Sequence, residues 1–333
     1  KEWAAIHRKH HAKVETDDDP HSPIAKGIKE VFFRGAELYR AESKVAATME
    51  RYGEGTPDDW IERHVYTRHS AAGVTAMLVI NVALFGMVGV TIWALQMAWI
   101  PFFAAGVVNG IGHYWGYRNY ESKDASRNIV PFGLFIGGEE LHNNHHAFAT
   151  SAKFSTKWWE FDIGWGLIRL LSVFGLAEAK RVVPKLKTQP TKTAIDTDTL
   201  KALIAHKLQV MSRYTQEVVM PALSEEKKRA SKTSLALLAR ARTVLVRDVS
   251  IMKASQQARL ASVLENFQSL RVVYQFRENL QAIWGRSTAS QKELLDALQE
   301  WCQQAEATGI DVLRHFSARL KTYVPQTTSV SGS

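Results

Sequence analysis

The chain has 333 residues, enough for one large domain or two ordinary ones. Its 46% hydrophobic and 23% charged residues are not a disordered composition, and its single cysteine, Cys302, excludes a disulfide framework, an all-cysteine zinc site and a cysteine-ligated iron–sulfur cluster. The net charge of +9 is uneven: from Lys180 onward there are 24 basic and 13 acidic residues, while the part before it is near neutral. A basic tail of that kind suits an anionic membrane surface or an acidic partner.

The chain starts at Lys1 in mid-pattern, without a methionine or a signal peptide, and reads as a fragment whose own N-terminus is missing. His7 to Lys13 is the end of a helix that Asp17-Asp18-Asp19-Pro20 breaks. Residues 24–50 carry Ile28, Val31, Phe32, Leu38 and Val45 at helical spacing, which predicts an amphipathic helix, and Tyr52 to Asp59 is a loop. Between Arg68 and Arg118 there is no Lys, Arg, Asp or Glu. As one helix, the roughly 43 residues from Ser70 to Gly112 would extend about 64 Å, twice a bilayer core. Two spans are therefore expected, about 72–93 and 97–115, with Trp93, Trp99 and Pro101 near the turn and both outer ends in the cytoplasm by the bias of flanking Lys and Arg.

Residues 121–141 read as a connection. Residues 157–177, with Trp158, Trp159, Phe161 and Trp165 and one charge in the apolar part, predict an interfacial helix rather than a third span. Pro184 and Pro190 mark a linker, residues 196–322 a run of amphipathic helices, and 324–333 a disordered tail. The fold class is thus all-α: membrane hairpins with a cytosolic helical cap, and a helical C-terminal extension. The expected domains are a core over 1–185 and a basic extension of unknown role over 186–333.

Seven of the 12 histidines fall into three places. His7, His10 and His11 form HRKHH; His142, His145 and His146 form HNNHH; His113 lies at the end of the second apolar stretch. Positions i, i+3 and i+4 share one helix face, so the imidazoles of each HxxHH converge, and neutral imidazole suits iron, copper and zinc. So many histidines without cysteine exceed the needs of one zinc ion, and a two-metal site is the better match. His64, His69, His206 and His315 lack partners at ligand spacing and read as surface or interfacial.

On these residues the chain resembles the membrane-bound fatty acyl desaturases, the histidine-box di-iron family, of the stearoyl-CoA or delta-9 type. WAAIHRKHHAKVETDDDPHSP (Trp3–Pro23) is similar to the family's second box with its ET…DPH segment. NGIGHYWGYRNY (Asn109–Tyr120) is similar to the end of its fourth span, and EELHNNHH (Glu139–His146) to its third box. The likeness covers about residues 1–180 and nothing after 190. It implies two iron ions held by His7, His10, His11, His113, His142, His145 and His146, with Asn109 reaching one of them through water. The family's first box, HxxxxH, is absent and is expected upstream of Lys1. Ala5 and Ile6 stand where animal-type acyl-CoA desaturases carry Arg-Asp, which turns the expectation toward lipid- or carrier-linked acyl chains.

The implied reaction is oxidoreduction on paired donors: O2 is reduced to two waters and a saturated acyl chain gains a cis double bond. Glu139 and Glu140 are candidates for orienting His142, and Trp3, Trp158 and Trp159 for lining the acyl site. Implied partners are the acyl substrate, the lipid membrane and an electron donor such as a ferredoxin or a cytochrome b5-type protein; nucleic acid is not among them. The expected location is a bacterial inner membrane, with the site on the cytoplasmic side. Two alternatives stand: a di-iron lipid hydroxylase, and a non-catalytic membrane protein whose basic tail binds a partner.

Overall fold

A computed structural model describes residues 1–69, 71–285 and 289–325. The expected tail at 324–333 lies mostly outside the described residues. The chain is all-α, apart from four two-residue strands, and divides into two units. One comprises residues 1–119 and 124–182, the other residues 120–123 and 183–333.

In the first unit, α1 (Glu2–Lys13) buries Ala5, Ile6 and His10 and ends as Val14 turns to extended backbone. The helix expected over 24–50 is two helices, α2 (Ile28–Glu42) and α3 (Ala46–Tyr52), separated at Val45. Glu42 accounts for the break: it accepts bonds from Lys9 Nζ at 2.8 Å and Thr48 Oγ1 at 2.5 Å, tying the reversed chain to α1.

The apolar stretch forms α4 (Ala72–Phe85) and α5 (Met87–Ile100), which continues as a π-helical segment over Pro101–Ile111. Pro101 cannot donate to the helical ladder, and the wider turns begin there. The turn of the hairpin falls at Gly86, not between 93 and 97. Gly86 has φ +60°, which a glycine adopts without steric cost, and the carbonyl of Asn81 packs where a Cβ of Gly89 would sit. Trp93 lies within the hairpin and donates to the carbonyl of Val74 at 3.0 Å. Asn81 Nδ2, donating to Gln96 Oε1 at 3.1 Å, adds a polar link between the two helices. Met87–Ile111, 25 residues, is long and apolar enough to cross a membrane; α4 is shorter. The outward apolar side chains, Leu84, Met87, Leu95 and Ile100 among them, are largely exposed, as lipid-facing residues are.

α2 crosses the π-helical segment on small residues. A Cβ on Gly35 would lie 2.8 Å from Cβ of Ala105, and one on Gly106 2.8 Å from the carbonyl oxygen of Phe32. This close crossing sets α2 beside the end of the long apolar helix.

Beyond it, a short parallel pair joins β1 (Phe132–Gly133) to β2 (Phe161–Asp162). A 3-10 turn over Glu139–Leu141 leads into α6 (His142–Ala147). The interfacial helix begins later and ends earlier than expected, as α7 (Ile163–Val173). Residues 156–160 are held instead as a turn, because backbone N–H groups of Thr156 and Lys157 donate to Glu160. Asp162 then caps α7 by accepting from the N–H of Trp165 at 2.9 Å. No residue of α7 is buried, and Leu167, Leu170, Val173 and nearby Phe174 are exposed.

The second unit is helical: α8 (Thr197–Ala205), α9 (Lys207–Tyr214), α10 (Met220–Arg229), α11 (Lys232–Leu238), α12 (Ala241–Val246), α13 (Ala254–Asn266), α14 (Gln268–Gly285), α15 (Gln291–Ala307) and α16 (Asp311–Lys321). Its core gathers Leu203, Tyr214, Leu270, Trp301 and Phe316. β3 (Lys187–Thr188) pairs antiparallel with β4 (Tyr323–Val324), closing the unit's two ends. His206, expected at the surface, is buried, with its Nδ1 2.6 Å from Gln209 Oε1.

Candidate metal centre

α1 presents His7, His10 and His11 on one face, as the i, i+3, i+4 spacing requires. α6 presents His142, His145 and His146 in the same way, and His113 follows the π-helical segment. The first unit brings all seven rings together in two groups. His10, His113, His142 and His146 form one; His7, His11 and His145 form the other.

The contacts are between ring nitrogens. In the three-ring group, Nε2 of His145 lies 3.1 Å from Nε2 of His7 and 2.9 Å from Nε2 of His11, which are themselves 3.2 Å apart. In the four-ring group, Nε2 of His142 and His113 are 3.0 Å apart, while Nε2 of His10 and His146 are separated by 3.3 Å. A neutral imidazole carries one N–H, so a triangle of Nε2 atoms cannot satisfy itself by hydrogen bonding. A metal held by nitrogens at about 2.1 Å with angles of about 90–110° sets N···N separations of about 3.0–3.4 Å. Both groups fit such an ion, and an all-nitrogen donor set suits iron, copper or zinc.

Five of the rings are held toward the neutral, ligating form. Burial, aided by nearby imidazoles, pushes His7 down to about 4 and His11 to about 2, and holds His10 and His146 well below the usual histidine range. Burial likewise takes His142 to about 4 against the pull of Glu139. Burial works against the Glu139 carboxylate, but His145 and His142 outweigh it and hold that group at about 2.

Of the two glutamates expected beside His142, only Glu139 reaches it, at 3.3 Å from Nδ1. Glu140 turns away: it accepts the N–H groups of Leu134, Phe135 and Ile136 at 3.0, 2.6 and 3.2 Å.

α6 is fixed from behind by a buried polar network that local sequence does not announce. Glu160 accepts from Asn119 Nδ2 at 2.5 Å, Asn144 Nδ2 at 2.8 Å and the Tyr117 hydroxyl at 2.9 Å. Asn143 Oδ1 accepts the N–H of Asn119, and Asn128 Oδ1 accepts that of Asn144. The two asparagines of HNNHH therefore anchor the helix whose histidines face the centre. His21 of the DPH segment is buried, stacks on His10 at 4.3 Å and has no hydrogen-bond partner for Nε2.

Beside the rings lies a cavity of about 440 Å³. Its lining is mainly apolar, with Trp3, Ile6, Ala36, Ile100, Ala104 and Val108, and it meets the centre at His7, His142 and Asn109. Trp3 also stacks on His7 at 4.9 Å. Trp158 and Trp159 do not line this cavity: Trp158 is 95% exposed, and Trp159 packs against Tyr117. The turn around Glu160 carries both away.

Comparison with known proteins agrees with this geometry. Residues 1–169 match the fatty acid desaturase family model, and residues 209–330 match a transposase family model. The chain is 32% identical to the Delta-9 desaturase-like 4 protein of Arabidopsis thaliana, over 56% of this chain and 62% of the relative. It is 31% identical to Delta-9 acyl-lipid desaturase 1 of the same plant, over 53% and 57%. It is 30% identical to the sn-1 stearoyl-lipid 9-desaturase of Anabaena variabilis, over 55% and 66%. The chain thus spans about three-fifths of the length of these curated relatives. No solved structure matches it. With half its length matched by the family model, and the histidine groups set within that half, the chain belongs to the fatty acid desaturase family.

Proposed function

We propose that the chain serves an O2-dependent di-iron desaturase that places a cis double bond in a saturated, lipid-linked acyl chain. The observation that carries this reading is the pair of Nε2 groups opening onto an apolar cavity. His10, His113, His142 and His146 would hold one iron, and His7, His11 and His145 the other. Such a metal pair supplies the O2 activation that an unactivated C–H bond demands and that acid–base side chains cannot provide. The reaction balances as a CH2–CH2 unit, O2, two electrons and two protons giving a cis CH=CH unit and two waters.

The chain's own residues do the rest. The apolar walls at Ala36, Ala104 and Val108 exclude water and take the hydrocarbon, and Trp3 stiffens His7 where cavity and centre meet. Asn109 lines the cavity and would be the residue that meets one iron through water. Ala5 and Ile6 are buried in α1, so the two positions where acyl-CoA enzymes carry a charged pair offer nothing to a nucleotide headgroup. The names of the acyl-lipid and stearoyl-lipid relatives support the same choice. The electron donor is a one-electron protein of the ferredoxin or cytochrome b5 type. The protein sits in a bacterial inner membrane, entered by the hairpin of α4 and Met87–Ile111, which returns the chain to the side it left, so that α1, His113 and α6 meet on the cytoplasmic side.

The test is expression of the full-length protein in a desaturase-deficient bacterium under ¹⁸O2, with analysis of its phospholipid acyl chains. New cis-monounsaturated chains free of label are expected. Labelled hydroxy chains would assign hydroxylation instead, and unchanged lipids from an iron-loaded protein would overturn the proposal.

A further inference from the structure

The positive charge of the second unit is concentrated in one stretch. From Lys227 to Lys253 there are eight basic residues and one acidic, whereas residues 260–333 hold seven of each. The stretch runs from the end of α10 through α11 and α12 to the start of α13, and these helices pack on one another, so its outer side is one region of surface. Leu238, Ala241, Val244 and Leu245 point into the core. Lys227, Arg229, Lys232, Arg240, Arg242 and Lys253 are exposed, and among the described residues none of them has an ion pair. Lys228 alone has an acidic partner, Glu225 at 2.6 Å. The one acid of the stretch, Asp248, is occupied by the N–H and hydroxyl of Ser250 at 2.9 and 2.7 Å. The cations of α16 differ: Arg314 pairs with Asp311, Arg319 with Glu217 and Lys321 with Glu306.

Apolar side chains are interleaved with the free cations. Among the described residues of the second unit, the large hydrophobic side chains that stand exposed are Ile204, Leu235 and Val249, and the last two lie in this stretch. Charges on long flexible stems around a few exposed aliphatic groups suit an anionic bilayer surface, where the cations meet phosphates and the aliphatic groups enter the headgroup boundary. Residues 174–186, which join α7 to β3, reach about 45 Å at most when extended. In a membrane-bound protein, adsorption of this face is then an intramolecular event, which modest charge contacts can hold.

Resting on the membrane placement proposed above, we infer that the face formed by the end of α10, α11, α12 and the start of α13 is a docking surface for anionic phospholipid headgroups. It holds the second unit on the bilayer that carries the apolar hairpin.

The test is an amine-labelling footprint, read by mass spectrometry, of the full-length protein in nanodiscs of phosphatidylcholine alone or mixed with phosphatidylglycerol. In the mixed discs Lys227, Lys232 and Lys253 should label about fivefold more slowly than in the neutral ones, the factor that about 1 kcal/mol per cation implies. The exposed Lys201 and Lys292, outside this face, should keep their rates. Salt at about 1 M, which shortens the screening length to about 3 Å, should abolish the slowing. Lys232→Glu combined with Arg240→Glu and Arg242→Glu, all at exposed positions, should abolish it at Lys227 and Lys253 while the protein stays in the discs. Equal labelling in both kinds of disc overturns the inference. Slowing produced by an added acidic ferredoxin and not by the anionic lipid also overturns it, and would assign the face to a protein partner. A folded protein recovered free of both kinds of disc overturns the membrane placement itself.

Discussion

Nε2 of His113 lies 3.0 Å from Nε2 of His142, although 29 residues of chain separate them. Neither ring can satisfy the other with a proton while both offer a lone pair, so the contact is one that a shared cation resolves. His142→Ala removes that arrangement. Iron content should fall from two to about one per protein, and unsaturated product by on the order of 100-fold or more. Metal analysis beside lipid analysis checks this, and a variant retaining both irons refutes it.

The depressed histidines make acid a destabilising agent. In the unfolded chain each imidazole takes a proton near pH 6.5, whereas His7 and His142 in the folded protein do so only near 4 and His11 near 2. The unfolded state therefore binds more protons below about 6.5. The stabilisation present above that value is lost as pH falls toward 4, at about 1.4 kcal/mol per ring per pH unit. Metal-free protein should melt progressively lower between pH 7 and 4.5. A flat melting temperature across that range would contradict the burial argument.

Glu160→Gln keeps shape and volume but turns one acceptor into a donor. Facing the amides of Asn119 and Asn144, it leaves a buried N–H unpaired. A loss of about 1–3 kcal/mol is expected in chemical denaturation, with weaker iron retention because α6 loosens. Unchanged stability would show that water relieves the network.

Ala104→Phe adds a ring to the apolar wall of the cavity without touching a histidine. Iron content should hold, while long acyl chains lose product relative to shorter ones. Product profiles over fed saturated acids of different length provide the measurement. Equal loss at all lengths would deny that this space receives the chain.

Much of the centre could be read from sequence because its information is local. HRKHH and HNNHH need only the helical repeat to put three rings on one face, and a charge-free stretch from 69 to 117 needs only its length. Their carboxylate partners could not be read so. Glu15 meets His113 across 98 residues, and nothing near either marks the encounter. The acid-rich run ending at Asp19, set directly after HRKHH, was the one usable signal for such a partner. The hairpin turns at Gly86 rather than near Trp93 and Trp99, because tryptophans mark interfaces only on average, whereas Gly86 adopts a backbone angle that ordinary residues avoid. The helix expected from residue 157 starts only at Ile163, because Glu160 captures the backbone N–H groups of Thr156 and Lys157. The basic helices after residue 183 display regular periodicity, which specifies packing and leaves their task unspoken.

Each group of imidazoles draws on α1, near the beginning of this sequence, and on α6, far along it, with the apolar hairpin in between. During synthesis, neither position can close before residue 145 has left the ribosome. On the membrane-bound, two-iron reading proposed above, iron would arrive only after the hairpin is inserted, and a cell short of it would accumulate inserted but empty polypeptide.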